Sequence, residues 1–486
     1  MIEELPPEMK MKYEEAKELI MSSDDIKIYS HTDCDGISSG AILSTILKRI
    51  GKEYEIEIVN LDVLEDLKIE HELTIFSDLG SGQPVDKHAN EDSKILILDH
   101  HPPLREKDYC DTIDYDTYLE INPYFFEVNG ECIDGSQEIC GGGLCYLLAK
   151  EFGYTDLSWI GILAAIGDMQ NTKNGKLQGM NNTILQDAKS EGLISYESDI
   201  SLYGRQTRPL YVALSYFSDV KLPITNSKNE AIAMLKRIGI PRQIEDPSTY
   251  SGERAITLSD LSDRQKGKLA GELIRMIKNE IPKRYEQYIP KLVIADTYEF
   301  LAEEENTFLR DASEFSTAMN ACVRNNESTV ALEILSGDRI EALDQLENIS
   351  KNHRAYLSEN IRKIEEEDKI VQMDYIQYFD GTGIRSNVVG TIAGMVLSSG
   401  DWRKPMIAFT PVSEENQDLK VSLRCSRLLA YDGIHFGNII REVAQSLGGN
   451  GGGHNVACGA YIPSDKKDEF LNLMNEKLEG KLVLEY

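Results

Sequence analysis

The chain of 486 residues is short of positive charge: 51 Lys and Arg stand against 82 Asp and Glu, a formal net charge of −31. Phosphate backbones are gripped by clustered Lys and Arg, so a broad nucleic-acid-coating surface is excluded. A locally basic groove is not excluded, and a divalent-metal site attracts phosphate by itself. No apolar run approaches the ~20 residues of a membrane span. Met1-Ile2-Glu3-Glu4-Leu5-Pro6-Pro7 has neither the basic nor the apolar region of a signal peptide. The eight cysteines form no Cys-x-x-Cys pair, which speaks against a disulfide framework and against a zinc knuckle. A cytoplasmic protein with no membrane contact is expected. Its 41% hydrophobic residues suffice for a sizeable core and, at this length, about two or three domains.

What is present is organised around Lys94-Ile95-Leu96-Ile97-Leu98-Asp99-His100-His101-Pro102-Pro103. Branched apolar residues run straight into an acid and two imidazoles, and two prolines end any pairing. Such a run predicts a strand buried on both faces of a parallel sheet. Asp99, His100 and His101 then emerge at its carboxyl end, where open α/β sheets keep their ligands. Other segments deliver acids at comparable places. A strand over 25–30 leads into His31-Thr32-Asp33-Cys34-Asp35-Gly36, where alternate residues His31, Asp33 and Asp35 share one side of an extended chain. A helix over 37–50 follows, closed by Gly51. A strand over 73–77 ends in Asp78-Leu79-Gly80-Ser81-Gly82, and a helix over 157–167 ends at Asp168. Residues 104–139 read as a loop. Gly141-Gly142-Gly143, ahead of an apolar helix, either permits close packing or cradles a phosphate. Strands alternating with helices predict an α/β fold with a parallel sheet.

Residues 199–290 read as a helical insertion, opened by the basic, aromatic stretch Leu202-Tyr203-Gly204-Arg205-Gln206-Thr207-Arg208-Pro209-Leu210-Tyr211. A second α/β unit begins at 291, with strands expected over 291–295, 329–335, 370–379, 405–410 and 419–423. A helix over 314–324 carries Asn320 and Arg324 on one face, and 340–369 forms a long charged helix or helical pair. The last strand ends in Arg424-Cys425-Ser426-Arg427. Five of the six residues 448–453 are glycine, a cost in backbone entropy. As an exposed loop, Gly451, Gly452 and Gly453 would form an anion nest beside His454.

Four carboxylates converging without a cation would repel strongly in a low-dielectric cleft. Carboxylates with imidazoles suit two Mn²⁺ or Mg²⁺ ions better than structural zinc. That arrangement activates water against a phosphodiester.

In His31-Thr32-Asp33-Cys34-Asp35-Gly36, Asp78, Asp99-His100-His101 and Asp168 the chain resembles the DHH phosphoesterase superfamily. Arg424 and Gly451-Gly452-Gly453-His454 resemble its DHHA1 domain. Phe76 to Gly82, Gly167-Asp168-Met169-Gln170 and Tyr203 to Tyr211 resemble archaeal RecJ-like nucleases, including the GINS-associated nuclease. The resemblance implies a parallel-sheet DHH domain over 1–198, the helical insertion over 199–290, and a smaller α/β DHHA1 domain over 291–486, with the active cleft between. It implies Asp78 as a ligand shared by two metal ions, one completed by Asp35, His100 and Asp168, the other by His31 and Asp33. His101 would touch the scissile phosphate and Asp99 would orient His100. Substrate phosphates would be held by Arg424, Gly451, Gly452, Gly453 and His454, with Asn320 and Arg324 as further candidates. Cys425 stands where many members have serine or threonine, and Ser426 would replace that hydroxyl. The implied activity is exonucleolytic cleavage of single-stranded DNA or RNA, 5′ to 3′ on DNA, in replication or repair, with GINS or replicative-helicase components as partners. The alternatives are an oligoribonucleotide or cyclic-dinucleotide phosphodiesterase, which the insertion disfavours, and a scaffold that binds GINS.

Overall fold

A computed structural model describes residues 5–65, 67–88, 93–110, 117–413 and 418–484. It divides into two compact units: unit 1 is Met1–Ser198 with Asp296–Lys351, and unit 2 is Asp199–Ala295 with Asn352–Tyr486.

Unit 1 is built on strands β1 (Ile26–His31), β2 (Tyr54–Val59), β3 (Leu73–Ser77), β4 (Lys94–Leu98) and β5 (Tyr118–Ile121). All pair in parallel, in the order β2-β1-β3-β4-β5. Every residue of β3 and all but Lys94 of β4 are buried, which is why both read as unbroken apolar runs. Among its helices are α1 (Pro7–Ser22), α2 (Cys34–Ile50), α3 (Gly141–Glu151) and α4 (Ser158–Gly167), the last three packed on one another. Because the strands are parallel, their carboxyl ends share one edge of the sheet. His31, Asp78 and Asp99-His100-His101 are gathered there.

Several expectations need correction. Helix α2 starts at Cys34 rather than 37, with Asp33 as its N-cap accepting from the Gly36 N–H. Asp35 therefore lies in a helical turn, and alternation along an extended chain is not what brings it beside Asp33. Strand β5 lies inside the expected 104–139 loop. Residues 289–293 are a short helix that runs into a strand over Ile294–Phe300. The expected strand at 329–335 is a helix, Ser328–Leu335. Its buried residues Val330, Ala331, Ile334 and Leu335 follow a helical period despite their β-branched neighbours. The strand Ile294–Phe300 pairs with Ile194–Ile200, and residues 296–351 join unit 1 rather than the C-terminal unit. The helix Ala312–Arg324 packs on α2 and α4, so Asn320 and Arg324 belong to unit 1.

Unit 2 holds the mostly helical middle segment and a six-stranded mixed sheet. The helix Asp263–Glu280 buries Leu269, Leu273, Met276 and Ile277 along one stripe. The sheet comprises β6 (Val371–Gln372), β7 (Gln377–Asp380), β8 (Met406–Pro411), β9 (Leu419–Arg424), β10 (Asn450–Gly453) and β11 (Ala457–Ile462), in the order β6-β7-β8-β9-β11-β10. The glycine-rich segment is thus an edge strand, not an open loop. Gly451 lies opposite Ala460, and a Cβ on it would sit 2.9 Å from the Ala460 methyl. Among the described residues no helix is long and apolar enough to cross a membrane.

Candidate metal centre

Seven of the residues singled out by sequence meet at the carboxyl edge of the unit 1 sheet. His31 Nδ1 lies 2.9 Å from Asp33 Oδ2 and 3.5 Å from Asp78 Oδ2. His100 Nε2 lies 3.2 Å from Asp78 Oδ1, 3.5 Å from Asp35 Oδ2 and 3.8 Å from Asp168 Oδ2. His31, Asp33 and Asp78 form one group able to hold a cation, and Asp35, His100 and Asp168 form another. Asp78, His100 and His101 form an overlapping third.

Asp78 sits at the hub. It follows β3 with φ 59°, a left-handed conformation that Asp tolerates better than most residues. Its N–H donates to the Leu98 carbonyl at 2.9 Å, which locks the turn to β4.

Backbone groups that carry no motif hold the other side chains. The Gly141 and Gly142 N–H groups donate to Asp35 Oδ2 and Oδ1 at 2.8 and 2.6 Å. A Cβ on Gly141 would meet Asp78 Cβ at 2.6 Å, and one on Gly142 would meet Ala164 Cβ at 2.4 Å. The glycine triplet therefore serves close packing and a carboxylate, not a phosphate. His100 Nδ1 is 2.6 Å from the Gly135 carbonyl, so Nδ1 donates there and Nε2 is turned toward the acids. Asp99 does not orient His100 as expected. Its Oδ1 pairs with His101 Nδ1 at 2.8 Å, and its Oδ2 accepts from the Ser81 N–H at 2.9 Å. Gln170 donates to Asp168 Oδ2 at 2.8 Å and to the Gly135 carbonyl at 2.9 Å.

The electrostatics are those of a site short of positive charge. Burial and the neighbouring Asp78 carboxylate push the Asp35 carboxyl well above its ordinary range. Burial disfavours protonated imidazole at His31 and His100, yet the surrounding carboxylates win and raise both well above the usual value. Asp99 is held down to about 2, its burial outweighed by His101. His31 Nδ1, His100 Nε2 and both Asp78 oxygens are buried without a directed hydrogen bond. Leaving buried polar atoms orphaned costs ~1–3 kcal/mol each, and a hard divalent cation would satisfy all four. The residues present fit Mn²⁺ or Mg²⁺.

Arg105, which sequence reading missed, braces the loops behind the centre. Its guanidinium donates to the Gly80 carbonyl at 2.9 Å, the Gln83 carbonyl at 2.6 Å, Asp86 at 3.0 Å and Glu120 at 2.9 Å. Asn122 adds bonds to Ser81 Oγ at 2.9 Å and the His101 carbonyl at 2.8 Å. Replacing Arg105 by Met leaves Glu120 buried without its cation, a loss of ~3–5 kcal/mol. Urea unfolding measures it, and a loss under about 1 kcal/mol contradicts the bracing role.

The other candidates lie elsewhere. Asn320 Oδ1 accepts from the Cys34 N–H at 3.1 Å, at the start of α2, with Arg324 one turn further along the same helix. Arg424 ends β9 in unit 2 and donates to the Leu423 carbonyl at 2.8 Å. No carboxylate among the described residues pairs with it, and burial pushes its guanidinium pKa down. Gly390 makes room for it, since a Cβ there would lie 2.5 Å from a guanidinium nitrogen. Gly451, Gly452 and Gly453 form β10, and the His454 N–H donates to the Ala457 carbonyl at 3.0 Å. Ser426 caps the helix Arg427–Tyr431 and donates to the Asp219 carbonyl. Its hydroxyl is thus committed to the fold and does not take over a substrate contact.

Known proteins agree with this architecture. A DHHA1 domain model matches residues 371–480, and a DHH-CID domain model matches 202–293. The uncharacterized protein MJ0831 of Methanocaldococcus jannaschii is 32% identical over 464 residues, 94% of each chain. CDC45 from Entamoeba histolytica superposes with a TM-score of 0.60 at 14% identity, covering 97% of this chain and 99% of that one. RecJ in complex with Mn²⁺ from Thermus thermophilus gives 0.56 at 14% identity, covering 98% of this chain and 55% of that one. An exonuclease RecJ bound to manganese gives 0.50 at 13% identity, covering 98% and 96%. At such identities the superpositions speak for the fold alone. With the full-length match to MJ0831 and both domain matches, the chain belongs to the DHH/DHHA1 phosphoesterase superfamily and has the fold shared by RecJ and CDC45.

Proposed function

We propose that the chain is a two-metal phosphodiesterase that removes nucleotides from an end of single-stranded nucleic acid. Asp78 carries the reading: one buried carboxylate presents Oδ1 to His100 and Oδ2 to His31, so it faces an imidazole of each candidate group. His31, Asp33, Asp35, Asp78, His100 and Asp168 would hold two divalent cations. Bound there, the ions would neutralise phosphate charge and make water a better nucleophile. The chain's own residues set the geometry. His101 has about half its side chain exposed (49%), and Asp99 fixes its ring through Nδ1. Asp99 also raises the His101 pKa against burial and the His100 charge. A protonated His101 Nε2 can then donate to a phosphate oxygen.

The likeness to an exonuclease RecJ bound to manganese supports cleavage from an end. Attack 5′ to 3′ on DNA, in replication or repair, is the first expectation. End-labelled single strands of DNA and RNA, scored for the end attacked, test it. EDTA should abolish the reaction, and Mn²⁺ should restore it better than Ca²⁺, because a two-ion site needs small, well-ordered cations. Full activity in EDTA would sink the assignment. Cleavage confined to short oligoribonucleotides or cyclic dinucleotides would favour a small-substrate phosphodiesterase. A scaffold that binds GINS is the second reading, favoured by the CDC45-like fold. It predicts partner binding without any metal-dependent hydrolysis, and the complete set of His and Asp donors argues against it.

A further inference from the structure

The stretch Tyr203 to Tyr211 stood out in the sequence for its basic and aromatic residues, and the chemistry above makes no use of it. In unit 2 the Arg208 guanidinium lies between two tyrosines, 4.8 Å from the Tyr203 ring centroid and 4.9 Å from that of Tyr216. Both rings are exposed, by 40% and 45%. No carboxylate among the described residues pairs with Arg208, in a chain of net charge −31. The turn is shaped for this: Gly204 has φ 86°, and a Cβ on it would lie 2.5 Å from Arg208 Cβ. A second stacked pair, Arg242 over Tyr211 at 5.3 Å, belongs to the same region. Tyr216 also lines a groove of about 560 Å³ with Asn226, Lys228 and Arg362. The groove's acid, Glu365, is engaged by the Ser399 hydroxyl.

We propose that Tyr203, Arg208 and Tyr216, with the adjoining groove, form a second binding site for single-stranded nucleic acid. The proposal rests on the nuclease reading for its choice of ligand. Bases stack on the outer faces of the tyrosines, and the edge of the guanidinium donates to a phosphate. A guanidinium clamped between rings is already ordered, so little side-chain entropy is lost on binding. Where so much of the chain repels phosphate, an arginine without an acid partner is a local exception. Exposed Tyr and Arg also suit a protein partner, and the test separates the two.

Fluorescence anisotropy of a labelled thymidine strand of about 20 nucleotides, titrated with the full chain in EDTA, reads binding without cleavage. Arg208→Ala and Tyr216→Ala should each weaken binding about 5- to 50-fold, whereas Tyr216→Phe, which keeps the ring, should stay within about twofold. Both alanine variants binding within about twofold of the parent overturns the site and leaves the rings to a protein partner. A parent chain that binds no strand also overturns it. Failure of the nuclease reading shows separately, as no hydrolysis by the unsubstituted chain with Mn²⁺.

Discussion

Asp78→Asn should lower hydrolysis of single-stranded nucleic acid by about a thousandfold or more. Asparagine is the right replacement, because residue 78 has φ 59° and Asn tolerates that conformation where Ala is strained. The shape is kept and one negative charge is lost. That charge is shared, since Oδ1 faces His100 and Oδ2 faces His31. Its removal should therefore weaken both ions together rather than one. Without metal the variant should melt no earlier than the parent, because the Asp35 carboxyl loses a repelling neighbour. Rates with Mn²⁺ and thermal melts in EDTA measure the two effects. A variant keeping more than about a tenth of the parent rate would place the bridge elsewhere.

Why Asp78 was legible, and its surroundings were not, follows from what each residue contributes. The apolar runs of β3 and β4 announce buried parallel strands, and an acid at the end of such a strand stands out by contrast. The fold class and the convergence of seven polar residues follow from that pattern and from the family motifs. The partners of those residues were hidden because they are main-chain atoms. The Gly141 and Gly142 amides that hold Asp35, and the Gly135 carbonyl that turns His100, have no side chain to announce them. Strand β5 is hard to read because Glu120 interrupts its four residues, and that carboxylate is buried with Arg105 and the Tyr118 hydroxyl as partners. The glycines of β10 lack the side chains whose alternation would mark a strand. Sequence order places Asn320 with the C-terminal residues, since it gives no sign that the chain returns to unit 1 after the insertion.

Arg424→Ala should raise KM for long single strands and lower kcat/KM about ten- to a hundredfold, the worth of one charge-assisted phosphate contact at ~1.5–3 kcal/mol. The expectation rests on a guanidinium that has carbonyl partners but no acid among the described residues, held partly out of water beside Gly390. Such a group gains more from a phosphate than a paired arginine would. Loss of one contact should also reduce the slope of log affinity against log salt by about one. Mn²⁺ affinity should not move, since no candidate metal ligand among the described residues lies in unit 2. If the Mn²⁺ titration shifts about tenfold while strand binding stays the same, the C-terminal unit shapes the catalytic centre instead.

Asp78 would serve two metal ions together at the edge of the unit 1 sheet. Electron paramagnetic resonance of the purified chain titrated with Mn²⁺ tests it most directly. Two ions per chain with the exchange coupling of a pair ~3.5–4 Å apart are expected, and the coupling should vanish in Asp78→Asn. A single ion per chain, or two uncoupled ions whose spectra are unchanged by that substitution, would contradict the account.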